Sequence, residues 1–250
     1  MPHELDVISA GKTRYDDQDE VVFFISVERI PKWSFEDFAH EYSEVHAQLA
    51  RQQHEHVKLP LGYVQVSVSK TSAAGDLAPD WDFVTCLTWP SINVIWTGFQ
   101  DPAYKGSVGK HVFCRLDNQE GSIAKRYDGF AVDVAGASLA TSQILVFHRR
   151  LSQDEEADSA WLQKRFAKAV SWKASLRRYT IWKDVTPKDT ATFFAGTQFI
   201  TGSWLNFKAI EMYVLDSTDA TSAFFEQNRS AIVDGEVEPY VVIGTHRTVI

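Results

Sequence analysis

Cysteine is nearly absent from this chain: Cys86 and Cys114 are the only two in 250 residues. A disulfide framework and a thiolate zinc site both need more thiols at closer spacing, so both are excluded. Each thiol sits in an apolar run, FVTCLTW and HVFCRLD, which reads as two buried free cysteines in a reducing compartment and places the protein in the cytoplasm. Positive charge is also scarce, with 25 Lys and Arg against 33 Asp and Glu, a net charge of -8 and a pI near 5.5. Phosphate backbones and anionic membranes are bound by clustered Lys and Arg, so no nucleic-acid or membrane partner is expected. No apolar run approaches the ~20 residues of a membrane span. The opening MPHELDVISAGKTRYDDQDE lacks the apolar core of a signal peptide. Gly-rich phosphate loops and a G-x-S-x-G elbow are missing too, which removes the obvious nucleotide and acyl-enzyme routes.

What the chain does have is bulk: it is 44% hydrophobic and 13% aromatic, with 8 Trp and 16 Phe, ample for a packed core. VVFFISVERI (21–30) reads as a strand. Ser34 then caps a helix whose Phe35, Phe38, Tyr42, Val45 and Leu49 fall on one stripe, with Asp37 completing a capping-box variant. GYVQVSVSK (62–70) alternates valine with polar residues, WDFVTCLTWP is a third strand, and Ser91 to about Asp117 is helical with a break at Asp101-Pro102. YDGFAVDV (127–134) is a fourth strand, and the small residues of AGASLATS (135–142) form a linker. The order then recurs. QILVFHRRL is a strand, Ser152 or Asp154 opens a helix, SLRRYTIWK and FKAIEMYVL are strands, TDATSAFFEQNRSAIV is a helix, and PYVVIGTHRTVI ends the chain. Each half is β-α-β-β-α-β, giving an α+β protein of two ferredoxin-like units, 18–134 and 142–250.

A ferredoxin-like sheet covers one face with helices. If the two free faces meet they enclose a barrel, and Tyr63, Gln65 and Ser67, with Glu211 and Tyr213 from the second half, would line a ligand-holding interior. Such a barrel forms within one chain or, in a homodimer, between two.

The strand VVFFISVERI, the helix FEDFAHEYSEVHAQLA and the segment DPAYKGSVGKHVFCRLD, in that order, resemble the EthD-like family of the dimeric α+β barrel superfamily. The resemblance covers about residues 21–134. It rests on an aromatic near the middle of the first helix, Tyr42, followed by a Val45-His46-Ala47 step. It implies a hydrophobic small-molecule pocket and chemistry without metal or organic cofactor on aromatic or polyketide-derived compounds, as in secondary-metabolite tailoring. The chain departs from the family at its second motif, where Lys110-His111 precede Phe113 and Asp117 in place of acidic residues.

His46 borders the buried stripe, and an imidazole titrates near working pH, so it is the first candidate for acid and base. His111 and Tyr63 are the other catalytic candidates. Tyr42, Gln65, Asp101, Glu211 and Tyr213 are candidates for holding the substrate. Glu211 in an apolar strand is either a raised general acid or half of an ion pair. His54 and His56 lack the i, i+4 spacing of a helical metal pair and read as solvated. The aromatic insertion FFAGTQFITGSW (193–204) is expected to be a lid over the substrate or a dimer contact. Three activities stay open at this level: a lyase or cyclase using histidine acid-base chemistry, a non-catalytic carrier of a hydrophobic metabolite, and a cofactor-free oxygenase.

Overall fold

The computed structural model describes residues 18–53, 60–70, 73–102, 112–132, 142–150, 155–233 and 239–250. His111, His54, His56, most of the 135–142 linker, and the helix openers Ser152 and Asp154 lie outside them.

Strand β1, Val21–Val27, is buried at every position because its two faces serve different cores. Val21, Phe23, Ile25 and Val27 pack outward beneath helices, while Val22 and Phe24 point inward. Seven more strands follow: β2 Gly62–Val68, β3 Phe83–Trp89, β4 Gly121–Ala131, β5 Ser142–Arg149, β6 Arg178–Asp184, β7 Phe207–Leu215 and β8 Tyr240–Thr248. They pair antiparallel in the closed order β1-β3-β2-β8-β5-β7-β6-β4. That order is two ferredoxin-like sheets, each with its last strand beside its first, joined edge to edge by β2–β8 and β4–β6. Closure removes the unpaired edges that an open sheet leaves to other chains. β4 begins at Gly121, earlier than the sequence suggests. Its first residues pair with β1 and its last with β6, across an irregularity between Arg126 and Asp128.

The barrel interior is apolar. Phe24, Val66, Leu145, Phe147, Ile210 and Val242 fill it, with Trp81 packed edge-on against both Phe147 and Phe207. Among the described residues the expected polar lining of that interior is missing: Tyr63, Gln65, Ser67, Glu211 and Tyr213 belong to the opposite, helix-facing side of their strands. Unpaired polar groups sealed among side chains cost ~1–3 kcal/mol each, so the valines of β2 take the inside and the polar face goes where helices supply partners.

Helix α1 runs from Phe35 through Gln53, with an α-helical start (Phe35–His40), a π-helical middle (Glu41–His46) and an α-helical end (Ala47–Gln53). The Ser34 hydroxyl caps it, accepting from the Asp37 N–H at 3.1 Å and donating to the Asp37 carboxylate at 2.8 Å. α2 is Ile92–Gln100, capped by Ser91, which accepts from the Val94 N–H. α3 is Glu155–Ser171, α4 the short Thr190–Phe193, and α5 Thr218–Val233.

The aromatic side chains of the insertion form neither a lid nor an exposed surface. Phe193, Phe194, Phe199 and Trp204 are buried in the core of the first half, against Phe23 of β1 and Phe99 of α2. The loop between β2 and β3 crosses the other way: Ala73, Ala74 and Leu77 pack on the core of the second half, and Arg229 of α5 donates to Ala73 O and the Asp76 carboxylate. Each half thus completes the other's core. Phe194→Ala is expected to cost about 3–5 kcal/mol, a drop of roughly 6–20 °C in Tm for a chain of this size. A lid residue would instead change KM at unchanged Tm, and thermal denaturation separates the two.

Candidate active site on the first helix

The π-helical turn decides which side chains of α1 face the sheet. A π-turn takes in one more residue than an α-turn, so the inward stripe slips by one position after it. Up to Tyr42 the stripe runs as the sequence spacing predicts, with Phe38 and Tyr42 buried. Beyond it Val45 and Leu49 are 38% and 48% exposed, and the inward places pass to His46, Ala47 and Ala50. The imidazole that the periodic pattern put beside the stripe is carried onto it.

His46 is half-buried. Its ring stacks on Tyr42, centroids 5.4 Å apart and planes 8° from parallel, and meets Phe113 edge-on at 5.7 Å. Beneath lies a hydrogen-bonded group. The Tyr42 hydroxyl bonds the Thr85 hydroxyl, and Gln65 Nε2 donates to the Tyr63 hydroxyl at 2.8 Å and to Tyr42 O at 3.0 Å. Burial raises the Tyr42 phenol well above its ordinary range and raises Tyr63 as well, so both are neutral phenols that orient their neighbours and neither is a base. Burial also pushes the Cys86 and Cys114 thiols up to about 12, which makes them inert. Asp101 is the C-cap of α2, its N–H bonded to Gly98 O.

The structure thus brings together His46, Tyr42, Tyr63 and Gln65, and adds Thr85, which sequence reading missed. Its signal was the alternation of Phe83, Thr85 and Leu87 on one face of FVTCLTW. Beside this group, on the flank of α1 toward β8, lies a cleft of about 220 Å³ lined by Phe35, Ala39, Gln65, Phe83 and Arg247 among others.

Glu211 and Tyr213 belong to a separate cluster beneath α3. The Glu211 carboxylate accepts from Arg165 at 2.5 and 3.0 Å, from Tyr179 at 2.5 Å and from Tyr213 at 2.9 Å, and lies 2.6 Å from His148 Nε2. Burial alone would raise this carboxyl, but Arg165 and His148 outweigh it and hold the group below the usual carboxylate range. Glu211 is the ion-pair half of the two sequence alternatives, and the general-acid role falls away. Arg165 lies one turn beyond Leu162 on the buried side of α3, a pattern that marks a helix face but names no partner for it. Among the described residues no group of three or more His, Cys, Asp and Glu could hold a metal ion.

A closed barrel of two ferredoxin-like units with all helices outside is the fold of the dimeric α+β barrel superfamily. A solved anthrone oxidase-like protein shares it over 94% of each chain, with a TM-score of 0.61 at 10% identity, a likeness of fold alone. Residues 30–113, which include Tyr42, His46, Tyr63 and Thr85, match the EthD domain model. The chain is also 32% identical to chalcone isomerase cfoK of Aspergillus candidus over 210 residues, 80% of this chain and 82% of that one. It belongs to the EthD-like family, and it is an enzyme of that family.

Proposed function

We propose that this enzyme is an isomerase of secondary metabolism that closes a ring on a hydroxylated aromatic enone, with His46 as both base and acid. The observation that carries the reading is the half-buried imidazole set by the π-turn against Tyr42 and Phe113, within the matched domain. The likeness to a chalcone isomerase supports the substrate class.

In this reaction the imidazole takes the proton of a phenol on the substrate. The phenolate oxygen bonds to the β-carbon of the enone, whose double-bond electrons move onto the carbonyl oxygen as an enolate. The imidazolium then returns the proton to the α-carbon. One C–O bond forms, one C=C bond becomes single, and no atom is gained or lost, so no oxidant is consumed. An apolar wall against the imidazole holds the flat substrate in the reactive geometry, and proximity supplies much of the rate. Tyr42 and Tyr63 do not touch the reacting atoms: Tyr42 is a positioning residue whose ring sets the plane of His46.

The test is purified enzyme with 2′-hydroxychalcone, following loss of conjugated-enone absorbance at constant product mass. A rate at the level of buffer would sink the proposal. Tyr42→Phe keeps the stack and is expected to stay within about tenfold of wild-type kcat. Tyr42→Leu removes it and is expected to lower kcat about 100-fold at nearly unchanged KM, the signature of an interaction realised in the transition state. Steady-state kinetics of both variants check this.

A further inference from the structure

The π-turn that carries His46 onto the sheet runs against the sequence around it. Were α1 an unbroken α-helix, the stripe of Phe35, Phe38, Tyr42, Val45 and Leu49 would bury Val45 and Leu49, and burying apolar side chains is favourable. As folded, those two are 38% and 48% exposed, and a polar imidazole takes an inward place. Two registers of one helix therefore compete, and something outside the helix must favour the π-helical one.

Strand β2 supplies that hold. A π-turn bonds N–H groups to carbonyls five residues back, and where bonding four back resumes, one carbonyl is passed over. Tyr42 O lies in the π-helical segment and takes a donor from outside the helix, Gln65 Nε2 at 3.0 Å. The same amide donates to the Tyr63 hydroxyl at 2.8 Å, which fixes its direction, and Gln65 is buried, so water does not compete for either bond. In the α-helical register Tyr42 O would face the His46 N–H, and the Gln65 amide would lose that acceptor. Two further contacts reach the segment without deciding its register. The Glu44–Arg247 ion pair is exposed and screened. The bond between the Tyr42 and Thr85 hydroxyls anchors a side chain that points inward in either register.

We infer that Gln65 is a positioning residue: its amide, donating to Tyr42 O, holds the π-helical register of α1 and so keeps the His46 imidazole against the sheet. The inference takes from the proposed function only the reaction that His46 serves. The register itself is read without any substrate.

The experiment is nuclear magnetic resonance of the full-length protein with isotope-labelled histidine, alongside steady-state kinetics. The His46 ring signal, identified by its loss in His46→Ala, is displaced in wild type by the neighbouring rings of Tyr42 and Phe113. Gln65→Met keeps the bulk and removes the donor. It is expected to return that signal to the position of a solvated histidine and to lower kcat for 2′-hydroxychalcone about tenfold at nearly unchanged KM, in step with the fraction of molecules that keep the register. Adding Leu49→Lys, which would force a charge inward in the α-helical register, is expected to restore both; a general loss of packing would not be rescued from an exposed site. Gln65→Asn, too short to reach Tyr42 O, takes the place of Gln65→Met should that variant fail to fold. A folded Gln65 variant with the wild-type His46 signal, or one that Leu49→Lys does not restore, would overturn the inference. The expected signal changes with no turnover by wild type would sink the isomerase reading and leave this one standing; turnover by wild type with the signal unmoved in the Gln65 variant would do the reverse.

Discussion

His46→Ala is expected to lower kcat for ring closure by about 10²–10⁴-fold, the usual contribution of a positioned acid-base group, while leaving the fold intact. The imidazole is half-buried and packs at the edge of the core against Tyr42 and Phe113, so its loss opens only a small, solvent-reachable gap. Circular dichroism and Tm then stay near wild type, and the loss falls on the chemical step. His46→Gln, which keeps polarity and approximate size but does not titrate, is expected to be as inactive as the alanine variant. The measurement is kcat and KM for 2′-hydroxychalcone with wild type and both variants. A carrier protein, or an enzyme using another base, would show unchanged turnover in both, and the imidazole would then be a packing residue.

Glu211→Gln is expected to destabilise the second half as strongly as truncating a core phenylalanine destabilises the first. Arg165 is 3% exposed and Glu211 fully buried, and the guanidinium also donates to Tyr213 and to Ala231 O and Ile232 O at the end of α5. Removing the carboxylate charge leaves a buried cation with no counter-ion, which costs about 3–5 kcal/mol, or roughly 6–20 °C in Tm. Replacing Arg165 and Glu211 together with methionine is expected to recover most of that loss, because no charge remains buried. Thermal denaturation of the single and double variants checks this. Equal Tm values for wild type and Glu211→Gln would mean the pair is not the hub of the second half.

The same cluster sets the acid stability of the enzyme. Burial lowers the His148 pKa, with Glu211 partly opposing, and the Glu211 pKa is lowered by its partners. Both folded-state values lie below the unfolded ones, so the unfolded chain binds protons first. The stabilisation from His148 is complete above about pH 6.5 and is lost as pH falls below it. That from Glu211 is complete above about pH 4.3 and is lost on further acidification. Stability is therefore expected to be flat near neutrality and to decline in two stages toward acid.

Much of the fold was legible in the sequence because strands and helices declare themselves locally. The strands FKAIEMYVL and PYVVIGTHRTVI and the helix TDATSAFFEQNRSAIV follow from short-range spacing, and the Ser34 cap from a side chain and an amide three residues apart. Two repeats of one element order then leave few ways to arrange eight strands, and the closed barrel is one of them. His46 and its aromatic neighbour were visible too, as an imidazole beside a helical stripe. Only the tertiary structure decided the rest. A period of two separates the faces of β2 but does not say which is inside; the answer came from where partners for Gln65 and Tyr63 exist. A stripe counted at 3.6 residues per turn cannot register a π-turn, so Val45 and Leu49 went outward and His46 inward. The insertion at 193–204 became core because the facing half has a gap for it, and Glu211 found Arg165 46 positions away in the chain, a pairing set by packing and burial that no local pattern encodes.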